Sequence, residues 1–292
     1  MLKRAKLLST FALVAGLTLA SGGLVVAQAD QADSARATFL AAKLSGANET
    51  AGGDQDGSGN AVVRISGTEV CFLLSWSKIA APVAAHIHMG AAGTNGPVKV
   101  GFFAGALPAN LTAVTGCVTS DAATVDAIKA NPAGFYANIH TSEFPAGAIR
   151  GQLSQVSLSS FEMVASFLRD ANLAALALGR NEVPGPGDPD GSAIAVFNVG
   201  TDSVTFAAHW RNIAPPSAAH IHSGAAGAAG PVVVGLLAAP GGLPASINGA
   251  AGTAMGAPDV LANIRQNPAG FYFNMHNAEF PAGAIRGQLI RI

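Results

Sequence analysis

Charged side chains are scarce in this sequence of 292 residues, which has 16 lysine and arginine residues against 17 aspartate and glutamate residues. Charged residues make up 11% of the chain and aromatic residues 6%. A small and nearly balanced charge excludes a nucleic-acid-binding protein of the usual kind, since such proteins neutralise phosphates with many lysines and arginines. A half-apolar composition with so few charges also argues against disorder and against a coiled coil.

Long apolar runs are absent after the first thirty residues, and those thirty have the pattern of a secretory signal peptide. Three basic residues precede an apolar run from Leu7 to Ala20, and Ala27-Gln28-Ala29 offers the small residues that signal peptidase requires. We therefore predict a signal peptide at 1–29 and a secreted or periplasmic mature chain. An uncleaved N-terminal anchor is the alternative. No later segment reaches the roughly 18 to 20 apolar residues of a membrane-spanning helix.

An internal repeat divides the remainder of the chain. Residues 143–153 return unchanged as residues 279–289, and weaker matches extend through both copies at an offset of 134 to 136. About 120 residues are enough for each copy to bury its own core. We predict two tandem domains at 35–153 and 173–292, joined by a linker at 154–172.

Short strands dominate each copy. Glycine (35 residues) and proline (16 residues) are plentiful, and apolar residues alternate with polar or small ones over Val70–Trp76 and again over Val204–Trp210. Such alternation between turn signals is typical of strands that bury one face. The sequence predicts an all-β fold of two tandem antiparallel β-sandwich domains with Greek-key-like connections.

One short helix is expected in each copy. The first would run from Ala122 to Ala130 with Ser120 as its cap, and the second from Pro258 to Arg265 with a proline in its first turn. Between the copies, the apolar residues of the segment Ser159–Leu168 share one helical face, which predicts a short linker helix.

Three motifs recur in both copies in the same order. These are Ala-Ala-His-Ile-His-x-Gly, then Gly-Pro-Val, then Asn-x-His-x-x-x-Phe-Pro-Ala-Gly-Ala-Ile-Arg-Gly-Gln-Leu. In this combination each copy resembles the CHRD domain, a family named after chordin. The resemblance implies an extracellular all-β domain that is common in secreted bacterial proteins. It implies no settled biochemical activity.

Six of the seven histidines fall at matched positions of the two copies. They are His86, His88 and His140 in the first copy and His220, His222 and His276 in the second. Residues i and i+2 of a strand point to the same face, so one metal ion could accept both imidazoles of a His-Ile-His segment. A third imidazole from a neighbouring strand would complete a three-histidine site suited to Zn²⁺ or Cu²⁺, with one coordination position open.

A purely structural role for these histidines is the alternative. They could hydrogen-bond main-chain carbonyls, or Glu143 and Glu279, and so hold the last strand against the His-Ile-His strand without an ion. Arg150 and Arg286 offer two possibilities of their own. The low net charge and the few basic neighbours favour an ion pair with Glu143 or Glu279 over an anionic ligand in the guanidinium fork.

Cys71 and Cys117 are the only cysteines of the chain, and both lie in the first copy. Threonines, Thr205 and Thr253, stand at the matched positions of the second copy. Both cysteines are absent from the second copy, and the chain is predicted to be exported, so we predict a disulfide between Cys71 and Cys117. Two buried free thiols are the alternative.

These observations favour an extracellular binding or structural role. One zinc or copper ion per domain is a cofactor that the three histidines of each copy could bind. The alternative is a copper-dependent redox enzyme of the superoxide dismutase type, which would need an open, redox-active copper position. By analogy with chordin, an extracellular protein or matrix ligand is a third possibility, and it would require an exposed apolar patch. No Ser-His-Asp order, phosphate loop or paired-carboxylate pattern stands out in the sequence, which favours a protein that is not an enzyme. The sequence does not indicate an oligomeric state.

Overall fold

The computed structural model describes residues 37–156 and 170–292. The predicted signal peptide and the predicted linker helix at Ser159–Leu168 lie outside the described residues. Within the described ranges, no helix has the length and apolar character that crossing a lipid bilayer would take.

The first copy consists of nine strands and one α-helix in its described part, with 3-10 helices at Gly46–Asn48 and Pro132–Gly134. The strands and the α-helix are β1 (Thr38–Ser45), β2 (Ser58–Ser66), β3 (Glu69–Ser77), β4 (Pro82–Met89), β5 (Val98–Ala104), β6 (Leu111–Thr119), α1 (Ala122–Ala130), β7 (Phe135–Thr141), β8 (Ile149–Gln152) and β9 (Ser154–Gln155).

The second copy repeats this order from its first strand to its last. Its elements are β10 (Leu173–Leu178), β11 (Ser192–Val199), β12 (Ser203–Arg211), β13 (Pro216–Ser223), β14 (Val232–Ala238), β15 (Ile247–Met255), α2 (Pro258–Gln266), β16 (Phe271–Asn277), β17 (Ile285–Gln288) and β18 (Ile290–Arg291).

The strands of each copy pair in an antiparallel manner and out of chain order. In the first copy the order of neighbours is β5-β4-β7-β8-β1-β2-β3-β6. The strand β1 pairs with β8 only at Ser45 and Arg150, and with β9 where Leu40 lies opposite Gln155 and Ala41 opposite Ser154, so short contacts join the layer β5-β4-β7-β8 to the layer β1-β2-β3-β6. Consecutive strands β3 and β4 lie in different layers, as in a Greek key. The predicted all-β sandwich is confirmed.

Alternation along the strands explains how this core forms. On β3, Val70, Phe72 and Leu74 are buried, while the residues between them are half-exposed. Because successive side chains of a strand point to opposite faces, one face of β3 supplies the core and the other does not. The matched strand β12 likewise buries Val204, Phe206 and Trp210.

Both short helices form where they were predicted. The helix α1 is capped by Asp121, whose carboxylate accepts a hydrogen bond from the Thr124 amide at 2.8 Å. The prediction of Ser120 as the cap is wrong by one residue, because the aspartate is the last extended residue before the first turn. The helix α2 begins at Pro258 as predicted and ends at Gln266, one residue later than predicted.

The two copies share a hydrogen-bonded sheet. The strand β6 of the first copy pairs with the matched strand β15 of the second, with Gly116 opposite Ile247 and Leu111 opposite Gly252. A matched pair of side chains reinforces this junction. Asn110 donates to the Leu236 carbonyl at 2.7 Å, and Ser246 donates to the Phe102 carbonyl at 2.7 Å.

The predicted disulfide between Cys71 and Cys117 is confirmed. The two residues lie directly opposite each other on β3 and β6. In the second copy Thr205 and Thr253 occupy the same opposed positions, and their hydroxyl oxygens lie 3.4 Å apart. The second copy therefore shows how the same cross-strand position is filled when two threonines replace the disulfide.

Replacing both cysteines with threonine, as in the second copy, is expected to lower the free energy of unfolding by roughly 2 to 4 kcal/mol, because the cross-link restricts the unfolded chain. Denaturant unfolding of the oxidised protein and of Cys71→Thr/Cys117→Thr would measure the difference. A reductant should bring the parent protein to the stability of the variant and leave the variant unchanged. Equal stability of the two oxidised proteins would contradict the expectation.

Candidate metal centre

The outer face of the strand pair β4 and β7 is polar. On β4, Ala85 and Ile87 are buried in the core, so His86 and His88 point the other way. On β7, Ala137 and Ile139 face the core, which places Tyr136, Asn138 and His140 on the same outer face as the two histidines. This explains how residues about fifty positions apart come together.

The three histidines of the first copy form one cluster. In the strand register His86 lies opposite Asn138, and His140 lies opposite Ala84. The imidazole centroids are 5.0 Å apart for His86 and His140, 5.5 Å for His86 and His88, and 5.9 Å for His88 and His140. One nitrogen from each ring lies within 4.8 Å of the others. The structure thus brings together the three residues that the sequence pattern selected.

The second copy reproduces this cluster with His220, His222 and His276. The corresponding centroid distances are again 5.0, 5.5 and 5.9 Å, and one nitrogen per ring again lies within 4.8 Å of the others. The seventh histidine, His209, lies on β12 and belongs to neither cluster.

Hydrogen bonds fix which ring nitrogen faces the centre of each cluster. In the first copy Nδ1 of His88 lies 2.9 Å from the Gly96 carbonyl oxygen, and Nδ1 of His140 lies 3.0 Å from the Pro145 carbonyl oxygen. A carbonyl can only accept, so Nδ1 carries the proton in both rings. The Nε2 atom of each neutral ring is therefore a bare acceptor.

These acceptors and one further ring nitrogen of each cluster are buried and have no hydrogen-bond partner among the described residues. They are Nδ1 of His86 with Nε2 of His88 and of His140, and in the second copy Nδ1 of His220 with Nε2 of His222 and of His276. In the second copy the Gly230 and Pro281 carbonyls accept from the remaining nitrogens of His222 and His276, at 2.9 and 3.1 Å. Buried acceptors without a donor are costly, and three of them side by side fit a cation.

The surroundings keep these imidazoles neutral near pH 7. Burial, followed by the neighbouring His140 and His88, lowers the pKa of His86 to about 4. Burial also lowers the pKa of His88 and of His140. Burial and the two neighbouring histidines likewise lower the pKa of His220 to about 4. Because neutral imidazole is the form that coordinates metals, both clusters are ready to bind an ion at neutral pH.

A tyrosine stacks against one imidazole of each cluster. The ring of Tyr136 is parallel to that of His88 within 9°, at a centroid distance of 4.9 Å. Its hydroxyl oxygen accepts from the amide of Gly96, whose carbonyl holds Nδ1 of His88. Tyr272 stacks on His222 in the same way, at 4.9 Å and 13°. Sequence reasoning did not assign either tyrosine to the site.

A buried arginine also lies over the ring of each of these tyrosines. The Cζ atom of Arg150 lies 3.8 Å from the centroid of Tyr136, and that of Arg286 lies 3.4 Å from the centroid of Tyr272. The side chains are 1% and 2% exposed. Each tyrosine therefore contacts both a buried arginine and one histidine of its cluster.

The contacts of these arginines differ from the predicted ion pairs. Arg150 donates to the Thr94 carbonyl at 2.7 Å and to Oδ1 of Asn95 at 3.0 Å. Arg286 donates to two main-chain carbonyls. Glu143 and Glu279, the predicted partners, are exposed. The physical reason is the path of the chain after β7, which directs the Pro145 carbonyl towards the histidines and the glutamate towards solvent.

Two other glutamates, Glu49 and Glu182, lie near the arginines. Glu182 is 8% exposed, and Asn274 donates to its Oε2 atom at 3.4 Å. Burial raises the pKa of Glu182 to about 7, and the charge of Arg286 opposes that rise. Burial raises the pKa of Glu49 to about 7 against the opposing charge of Arg150. The recurrence of Asn-Glu at 48–49 and 181–182 was the sequence signal for these residues.

Glycine is required beside each glutamate. Gly147 has φ 138° and Gly283 has φ 149°, a conformation that favours glycine. A Cβ atom at Gly147 would lie 2.6 Å from Oε1 of Glu49, and one at Gly283 would lie 2.5 Å from Oε2 of Glu182. The invariant Phe-Pro-Ala-Gly segment of the two copies thus makes room for the carboxyl group.

The donor set of each cluster fits Zn²⁺ or copper. Imidazole nitrogens are common ligands of both metals, and a site with three protein ligands leaves one coordination position for water or a substrate. The carbonyls of Gly96 and Pro145 would orient two of the ligands, as hydrogen bonds from the far ring nitrogen do in metal sites generally.

Comparison with known protein families gives two matches in this chain. The family model described as the CHRD domain matches residues 40–153 and 173–289. No curated protein matches the chain significantly.

Proposed function

Because the chain belongs to the CHRD family and carries two copies of its domain, we propose that it is an exported protein that binds one transition-metal ion in each copy. The observation that carries the proposal is the set of buried imidazole nitrogens, three in each copy, that converge without hydrogen-bond donors among the described residues. Each ion would be held by Nδ1 of one histidine and Nε2 of two others.

The alternative of a purely structural role leaves these nitrogens unexplained. Hydrogen bonds to main-chain carbonyls account for one nitrogen of His88 and one of His140. The opposite nitrogens of the same rings meet each other and His86 instead of a donor. If the histidines served packing alone, their unprotonated nitrogens would be expected to face hydrogen-bond donors. Because they face one another instead, the cluster supports the proposal of a positively charged ligand.

Two features support export. The first thirty residues have the pattern of a signal peptide. The disulfide between Cys71 and Cys117 fits an oxidising compartment, where such bonds persist. In such a compartment zinc or copper bound by three imidazoles would serve a binding or structural role. Copper would also make the redox alternative worth testing, because an open position on a redox-active ion is its first requirement.

Metal content tests the proposal. The protein would be exported to a bacterial periplasm and purified without a chelator or a histidine tag. We expect about two equivalents of zinc or copper by mass spectrometry, and about one in His86→Ala/His88→Ala/His140→Ala, because the second copy keeps its ligands.

The seventh histidine supplies the matched control. His209 lies outside both clusters, so His209→Ala should retain the full metal content. A parent protein without bound metal, or a triple variant that binds as much metal as the parent, would refute metal binding by these histidines.

A further inference from the structure

A buried arginine lies near each histidine cluster, and the hydrogen bonds that it donates go to neutral oxygen atoms. Arg286 is 2% exposed, and its Nη2 atom donates to the carbonyls of Ala225 and Ala228 at 3.0 and 2.7 Å. Its Nη1 atom is buried and has no hydrogen-bond partner among the described residues. Arg150 binds a carbonyl and an amide oxygen in the same way. Their hydrogen bonds therefore leave the positive charge undiminished.

The charge lies close to the metal ligands. The guanidinium of Arg286 lies over the ring of Tyr272, and the same ring stacks on His222. These two contacts place the guanidinium within about 9 Å of the imidazole, a distance at which a charge in a partly buried site still interacts appreciably. The charge of Arg286 is one of the causes that lower the pKa of His222, and Arg150 acts likewise on His88.

We propose that Arg150 and Arg286 bias the two centres towards monovalent copper and against divalent ions. The inference rests on the proposed metal-binding function and adds the charge preference of the site. Coulomb repulsion from one guanidinium is about twice as large for a divalent as for a monovalent ion. The three imidazoles are neutral and supply no compensating negative charge. Imidazole is a ligand of copper as well as of zinc, and Cu⁺ is the copper ion of single charge.

The buried glutamates act with the opposite sign. The carboxyl of Glu182 lies beside Asn274, the residue that faces Arg286 in the register of β16 and β17. Glu49 occupies the matched position in the first copy and interacts with Arg150. When ionised, each glutamate offsets part of the arginine charge and favours a divalent ion. Removing the arginine charge and removing the glutamate charge should therefore change the ratio of Zn²⁺ affinity to Cu⁺ affinity in opposite directions.

The test compares affinities for Zn²⁺ and, under anaerobic reducing conditions, for Cu⁺ in the full-length protein. In Arg150→Gln/Arg286→Gln the new side chains keep a donor for the carbonyls but lose the charge. We expect the ratio of Zn²⁺ affinity to Cu⁺ affinity to rise roughly twentyfold, as expected for one extra unit of charge at about 9 Å and an effective dielectric constant of about 20. Arg150→Lys/Arg286→Lys is the control, because it keeps the charge and loses the fork, and its ratio should stay near that of the parent.

A second pair of substitutions makes the test independent of how well the arginine variants fold. At pH 8, Glu49→Gln/Glu182→Gln should lower the same ratio, since it removes negative charge. An unchanged ratio in the arginine-to-glutamine variant, or equal shifts with glutamine and lysine, would overturn the charge bias and leave metal binding intact. A rise in the glutamate variant would also overturn it. Absence of binding of either ion to the parent protein would refute both the bias and the proposed function.

Discussion

Alanine in place of Gly116 is expected to destabilise the protein by about 3 kcal/mol or more. Gly116 lies on β6 between two neighbouring strands, opposite Phe72 on one side and Ile247 on the other. A Cβ atom there would lie 2.0 Å from the Ser246 carbonyl oxygen and 2.6 Å from Cζ of Phe72. The first of these atoms belongs to the main chain, so relief requires the two copies to move apart.

Denaturant unfolding followed by tryptophan fluorescence would measure this effect, since each copy contains one buried tryptophan, Trp76 or Trp210. Gly252→Ala should act similarly, because its Cβ would lie 2.4 Å from the Asn110 carbonyl oxygen. Gly235→Ala is the matched control. Gly235 also lies on a strand, but a Cβ there would have no heavy atom within 4 Å. If Gly116→Ala were as stable as Gly235→Ala, the close approach at the junction would be disproved.

Removal of the proposed metal ions is expected to lower the free energy of unfolding by about 4 kcal/mol for each site, if the free ion is first present at about a thousand times its dissociation constant. The reason is that the clusters exist only in the folded chain, where residues of β4 and β7 meet. Calorimetric scans before and after chelation would show the loss as a lower melting temperature, and adding the ion back should restore it.

The control for metal removal is a variant with all six cluster histidines replaced by alanine. Its melting temperature should respond neither to the chelator nor to added ion. If chelation lowered the melting temperature of this variant as much as that of the parent, the shift would have to come from elsewhere in the protein. An unchanged melting temperature in the parent would contradict tight binding.

Features that repeat with a short period could be predicted from the sequence. The alternation of Val70, Phe72 and Leu74 identifies a half-buried strand, because the period of two follows from strand geometry alone. The spacing of His86 and His88 places them on one face for the same reason. The two cysteines are a different kind of signal, since their joint replacement in the second copy implied the bond that the structure contains.

The environment of the cluster could not be predicted in the same way. Arg150 contacts Thr94 and Asn95 in a loop whose path depends on the packing of β4 against β7. Proximity in sequence suggested Glu143 instead, but the chain turns that side chain outwards. The carboxyl group near Arg150 comes from Glu49, about a hundred residues away. Such pairings arise from tertiary structure, which local patterns do not encode.

The junction of β6 with β15 has the symmetry of a dimer. The two strands are the same element of the repeat, and residues at one end of β6 face the other end of β15 in a reciprocal register. This is an isologous contact, the kind that two identical subunits make across a two-fold axis. A chain with one copy would expose this strand as a self-complementary edge and could pair only with another molecule. Covalent fusion makes the contact intramolecular and therefore independent of protein concentration.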